Sequence, residues 1–267
     1  MLTVGSLFSG VGGLDKGLEM AGLRVVWQIE SDKQCRSVLA RHWPDVVRYE
    51  DVTEYMNYDL GTVDVICGGD PCPIRSRART MPTKYPDLSG WFLAVVGRCG
   101  PRWVVRENVP APDDVDFDTA LGMLGYGTAI VRLDASEVTG QNRQRDFIVG
   151  RREASRQIIR DIFRDCEGGT GALTAGIASR QLIACLTTKR QRYDSRDNYV
   201  WDGRLRILDA EERERFSGFP VGWTDGFFTT ARARMMGNAV VPQVAEWIGR
   251  RIMDSQGELT CQKDSTT

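Results

Sequence analysis

Six residues, GGDPCP from Gly68 to Pro73, close an apolar run, VDVIC, Val63 to Cys67. The chain leaves a strand through two glycines and an acid, then sets Cys72 between two prolines. A core cysteine needs no such setting, whereas a nucleophile held at a strand's end by a rigid turn does. A second acid, Glu107, closes the run WVVR at Trp103–Arg106, and two arginines, Arg143 and Arg145, follow in QNRQR. His42 is the sole histidine, so neither a histidine-based triad nor a zinc deaminase site is expected.

These residues need a scaffold that brings strand ends together. Leu2–Phe8 is expected as a buried strand, followed by the glycine-rich turn SGVGG and a helix over Leu14–Ala21. Val25–Ile29, Val46–Tyr49, Val63–Cys67 and Trp103–Arg106 read as further strands, with helices at Asp32–His42, Trp91–Cys99 and Phe117–Leu124. Thr128–Leu133 and Phe147–Val149 complete a mostly parallel sheet covered by helices. Asp209–Phe216 and Val240–Met253 are expected as helices, with a frayed polar tail beyond.

The turn SGVGG is neither the GxGxxG fingerprint nor a phosphate loop with its lysine. Phe8 before it can cover a flat group, Glu30 ends the second strand, where a carboxylate can accept both hydroxyls of a ribose, and Asp51 follows the third. Each alone is equally a turn or a helix cap. Three successive strand ends bearing Gly, Glu and Asp favour a nucleoside cofactor.

Bulk properties bound the rest. The 267 residues can bury a core without disulfides or metals. Lys plus Arg number 35 and Asp plus Glu 36, so bulk charge is silent about polyanions. Local charge is not: residues 141–206 hold 14 basic and 8 acidic side chains in a glycine- and serine-rich stretch. Seven cysteines without a CxxC argue for a reducing compartment and against a metal cluster. Neither a signal peptide nor a membrane span is expected.

Read in order, the motifs resemble those of the DNA cytosine-5 methyltransferase family over roughly two thirds of the chain. FSGVGG resembles the first cofactor motif, DPCP the nucleophile motif, ENV (Glu107–Val109) the motif gripping the target base, and QNRQR the arginine motif. RILDAEERERFSGFP (Arg206–Pro220) and GNAVVP (Gly237–Pro242) resemble the two that follow the recognition segment. The resemblance implies an α/β, Rossmann-like methyltransferase sheet binding S-adenosylmethionine, with a small DNA target-recognition lobe. It divides the chain into a catalytic body at 1–150, a lobe at 151–235, a returning helix at 236–254 and a flexible tail at 255–267.

By that resemblance Cys72 adds to C6 of a flipped cytosine, Glu107 holds N3 and the 4-amino group, and Arg143 and Arg145 supply positive charge, Arg143 on the O2 side. Cofactor contacts are implied for Phe8, Ser9, Gly10, Gly12, Gly13, Leu14, Glu30, Ser31, Asp51, Val52, Asp70, Pro71, Asn238, Ala239 and Val240. Asn238 equally fits a turn cap before the final helix. DNA contacts are expected from Arg75, Arg77, Arg79 and Lys84 after the nucleophile, and from Lys189, Arg190, Arg192 and Arg196 in the basic stretch. Tyr199 and Trp201 lie in the same stretch. Two departures stand out: Pro73 replaces the family's usual Gln, and Gly140 a frequent Pro.

The expected partner is double-stranded DNA, with no membrane and no obligate protein partner. A monomer is expected in the cytoplasm of a bacterium or phage-infected host, with a cognate restriction enzyme open. A tRNA substrate and a non-catalytic DNA-binding relative remain alternatives. Retention of both Cys72 and Glu107 weighs against the second.

Overall fold

The computed structural model describes residues 1–71, 87–111, 114–164, 183, 185–186, 199–201 and 205–263. The strands are β1 (Thr3–Leu7), β2 (Arg24–Ile29), β3 (Val47–Tyr49), β4 (Val65–Gly68), β5 (Trp103–Asn108), β6 (Tyr126–Asp134) and β7 (Gln144–Arg152). They form one sheet in the order β3-β2-β1-β4-β5-β7-β6. Between them run α1 (Gly13–Met20), α2 (Lys33–His42), α3 (Ser89–Cys99), α4 (Asp114–Met123) and the short α5 (Ser136–Thr139), with α6 (Arg156–Ile162) after β7. A small ribbon of β8 (Tyr199–Trp201) and β9 (Leu205–Ile207) precedes α7 (Ala210–Phe216), α8 (Thr229–Asn238) and α9 (Pro242–Lys263).

Side-chain alternation accounts for the layers. Val65, Cys67, Trp103, Val105, Phe147 and Val149 face α1, α6 and α9 in one buried cluster. Ile66, Val104 and Ile148, one residue out of phase, face Phe92, Val95, Phe117 and Leu121 of α3 and α4 in another. A third cluster joins Val38, Leu39 and Trp43 to Phe219, Trp223 and Met236, clamping the chain's last quarter onto its first.

The expected mostly parallel sheet is present, with β7 antiparallel to both of its neighbours. Residues 135–143 between β6 and β7 are too few for a parallel crossover, so the chain must turn back. Residues 151–163, expected at the start of the recognition segment, instead complete β7 and α6. Ile159 and Phe163 are buried in the main core, and Ser155 caps α6 by accepting from Ile158 N–H. Helix α8 was not foreseen, because arginines interrupt its apolar face of Ala233, Met235 and Met236. Finally, α9 continues to Lys263 rather than fraying after Met253; Ser255 is buried within it.

This topology sends β1, β2, β3, β4 and β5 out of the sheet at one edge, and β7, running the other way, begins there. Ligand sites in open α/β sheets form at such carboxyl ends.

Candidate active site

The cofactor end is built largely from backbone. Ser9 N–H donates to Ile29 O (3.2 Å) and Gly12 N–H to Ser9 O (2.8 Å), closing the turn after β1. Phe8, Gly10 and Gly12 all have positive φ, the strained one being Phe8 at 53°. Its ring stacks on Phe92 with centroids 6.5 Å apart. Glu30 accepts from Gly10 N–H and Asp32 N–H, both at 2.7 Å, one on each carboxylate oxygen. Burial pushes the Glu30 carboxyl above the ordinary glutamate range, against those two bonds, which pull it down.

GNAVVP closes this end from the far side of the chain. A Cβ placed on Gly13 would lie 2.1 Å from Val240 O, so only glycine permits that approach. Ala239 is buried, and Asn238 is the exposed last residue of α8. Asp51 is exposed and caps the 3-10 turn Val52–Asn57 by accepting from Thr53, while Val52 is buried. Ser31 is exposed, and its carbonyl and that of Glu30 accept from Arg36.

These residues fit S-adenosylmethionine. Each Glu30 oxygen accepts one backbone bond and keeps a further lone pair for a ribose hydroxyl. A Cβ on Gly10 would meet nothing within 4 Å, which leaves open space above the turn. Leu14 is buried beneath it, and Phe8 stands half-buried beside it.

The catalytic end is built from charged side chains. Glu107, 8% exposed near the end of β5, pairs with Arg145 at 2.9 Å. Burial pushes its carboxyl upward, and Arg145 and then Arg143 draw it partly back. A Cβ on Gly69 would lie 2.8 Å from Glu107 Oε2, so the carboxylate rests against the backbone leading into Asp70 and Pro71. Asn108 Nδ2 reaches Asp70 O at 3.4 Å. A concavity lined by Phe147, Val240 and Val244 opens beside both arginines.

Arg143, expected on the O2 side of the base, is held by backbone carbonyls and a thiol. It is 4% exposed, and its guanidinium donates to Gly237 O (3.1 Å), Leu186 O (3.4 Å) and Cys185 Sγ (3.4 Å). It ties β7 to the GNAVVP motif, and Arg145 takes the place beside Glu107. Asp70, expected near the cofactor, is buried in an ion pair with Arg106. Pro71 is exposed.

Cys72, Pro73, Arg75, Arg77, Arg79, Lys84, Lys189, Arg190, Arg192 and Arg196 lie outside the described residues, as do the side chains of Tyr199 and Trp201.

Three supporting residues escaped sequence reasoning. Arg106 was read as one more strand residue. Gln141, fully buried, donates to Phe216 O (3.0 Å) and accepts from Leu186 N–H (3.2 Å). Arg234 pairs with Asp32, whose N–H holds Glu30. An arginine inside an apolar strand was the one available signal, since buried charge demands a partner.

No helix among the described residues is long and apolar enough to cross a membrane. The sequence model of the C-5 cytosine-specific DNA methylases matches residues 2–165 and 157–254. The type II methyltransferase M2.BsuMI of Bacillus subtilis is 26% identical, over 97% of this chain and 77% of that protein. M.FnuDI of Fusobacterium nucleatum is 30% identical over 55% of this chain, but the match spans only 46% of that longer relative. Among solved structures, the Dnmt2 methyltransferase of S. pombe superposes with a TM-score of 0.72 at 15% identity, covering 96% of this chain and 99% of that one. That last likeness shows the fold alone, a Rossmann-like methyltransferase sheet. With the family match spanning nearly its whole length, the chain belongs to the C-5 cytosine-specific DNA methylases and is a DNA cytosine-5 methyltransferase.

Proposed function

We propose that the chain transfers a methyl group from S-adenosylmethionine to C5 of a flipped cytosine within a short double-stranded DNA sequence, through a covalent bond between Cys72 and C6. The observation that carries this reading is the pairing of buried Glu107 with half-buried Arg145, the Glu107 carboxylate resting on Gly69, three residues before Cys72.

Cytosine C5 is a weak nucleophile. Addition of the Cys72 thiolate to C6 breaks the 5,6 double bond and makes C5 enamine-like. Glu107 favours that step by hydrogen-bonding N3 and the 4-amino group, and its raised affinity for a proton suits donation to N3 as charge enters the ring. Arg145 holds the Glu107 carboxyl in place and faces the base beside it, a role earlier expected of Arg143. S-adenosylmethionine, held by Glu30 and the turn after β1, supplies an electrophilic methyl on a sulfonium. Transfer of the C5 proton to water or a DNA phosphate oxygen, with expulsion of the Cys72 thiolate, then restores the aromatic ring.

C6 is inaccessible inside a duplex, so the base must leave the stack. Arg75, Arg77, Arg79 and Lys84 are proposed to contact phosphates near the flipped base. Lys189, Arg190, Arg192 and Arg196 are proposed to do so from the recognition lobe, which in this reading begins after Phe163. The enzyme acts as a monomer in the cytoplasm, with or without a cognate restriction enzyme.

The test uses duplex DNA of mixed sequence and, in parallel, tRNA, with labelled S-adenosylmethionine and base-resolution mapping of 5-methylcytosine. Label at one short DNA motif with wild type, and none with Cys72→Ala, is expected. Label confined to tRNA, or retained by Cys72→Ala, overturns the proposal.

A further inference from the structure

The mechanism above leaves one buried charged cluster unused. Arg106, the residue before Glu107, is 1% exposed. Its Nε donates to Asp70 Oδ1 at 2.5 Å and its Nη2 to Asp70 Oδ2 at 2.8 Å, a bidentate fork. Its Nη1 lies 3.3 Å from Asp114 Oδ1, and its guanidinium carbon 4.2 Å from the Phe117 ring centroid. Asp70 and Asp114 are 6% and 3% exposed.

Strand alternation puts Arg106 on the Val104 and Phe117 face of β5, opposite Glu107. The fork therefore grips the exit of β4 from behind and leaves the face bearing Glu107 open. Stability alone does not account for such a pair. Desolvating a cation and two carboxylates costs about as much as their attraction returns, and apolar residues of like volume do as well or better. What apolar residues lack is direction. A bidentate fork sets both the distance and the orientation of the carboxylate, and Asp70 is followed directly by Pro71 and Cys72.

We propose that Arg106 and Asp70 are positioning residues: their fork sets the backbone at Pro71 in register with β5, so that Cys72 and Glu107 meet the same cytosine ring. This rests on the reading of Cys72 as nucleophile and Glu107 as its partner. The Asn108 amide on Asp70 O is a second tie between the same two strand exits.

The test compares wild type, Asp70→Asn, Arg106→Lys, the apolar pair Asp70→Leu with Arg106→Met, and Cys72→Ala, all in the full chain. Four quantities are measured: melting temperature, S-adenosylhomocysteine affinity, single-turnover methyl transfer on saturating mixed-sequence duplex DNA, and covalent capture on the same DNA carrying 5-fluorocytosine. Asp70→Asn and Arg106→Lys are expected to slow capture and transfer by about 30- to 100-fold, the scale of an ångström-sized misplacement, at unchanged S-adenosylhomocysteine affinity. The apolar pair is expected to melt near wild type yet remain as slow. Wild-type rates from the apolar pair overturn the proposal. So do single-variant rates that, per folded molecule, equal wild type, a comparison that decides even where the apolar pair does not fold. Transfer retained by Cys72→Ala sinks the underlying mechanism instead, whatever the fork variants do.

Discussion

The two ends of the ligand-bearing sheet edge are built on different principles. Where β1 and β2 leave the sheet, positive-φ residues, backbone N–H groups and one carboxylate form the cradle proposed for the cofactor, and Gly13 presses against Val240 backbone. Where β4, β5 and β7 meet, two ion pairs on opposite faces of β5 do the holding, Glu107 with Arg145 of β7 and Arg106 with Asp70 just past β4. The first end should tolerate loss of a charge better than an added methyl group. The second should show the reverse.

The largest effect is expected at the charged end. Glu107→Ala leaves Arg145 without its carboxylate and removes the group proposed to hold N3. A fall in kcat of about 10³-fold is expected in single-turnover assays, with S-adenosylhomocysteine affinity nearly unchanged. A comparable loss of cofactor affinity would erase the distinction between the ends. Next comes Gly13→Ala, whose new Cβ would sit 2.1 Å from a main-chain oxygen. Calorimetry should register about 2–3 kcal/mol of lost stability. Gly69→Ala meets a movable side chain at 2.8 Å instead, and should lower turnover with little change in melting temperature.

Smaller again is Glu30→Gln. It keeps one acceptor oxygen, sets an amide NH2 against the other backbone N–H and loses the charge, so titration calorimetry should find cofactor affinity about tenfold weaker, about 1.4 kcal/mol, with kcat at saturation preserved. The smallest effect concerns Asp15, fully buried below the cofactor turn and accepting from Ser6 Oγ (2.9 Å) and Gln28 Nε2 (2.8 Å). Desolvation pushes its carboxyl from the ordinary 3.8 up to about 6. The folded state then binds the proton more tightly than the unfolded one, a contribution fully present below pH 3.8 and lost as pH rises through about 6. Asp15→Asn should therefore gain stability over wild type across that window, on the order of 1 kcal/mol by pH 7.5 after its weaker hydrogen bonds are counted. A pH-independent difference in urea midpoint would remove the titration argument.

Much of this molecule was legible before its structure. Apolar runs located the seven strands of the main sheet to within a few residues, though not the ribbon of β8 and β9, and Asp32 and Asp209 cap α2 and α7. Motif order identified Glu30, Asp51, Cys72 and Glu107 as candidates without any coordinates. The features it left open share a cause. The direction of β7 depends on what its neighbours leave free, and α6 on whether Ile159 finds a core to enter. Neither is a property of a short window. The division of labour between Arg143 and Arg145 was missed likewise: Arg143 directly precedes β7 and Arg145 lies on it, two apart, so only their neighbours in space tell them apart.

By itself, then, the chain's order of residues determined the family and marked the strand-end residues on which the proposed chemistry and cofactor rest, because motifs depend on residue type and local spacing. Only the tertiary structure decided which charges pair. It sent Arg143 to the backbone carbonyls of Leu186 and Gly237, Arg145 to Glu107, and Arg106 to Asp70, 36 residues earlier in the chain. A buried charge must find its partner in space, and spacing along the chain does not say which strand will lie alongside.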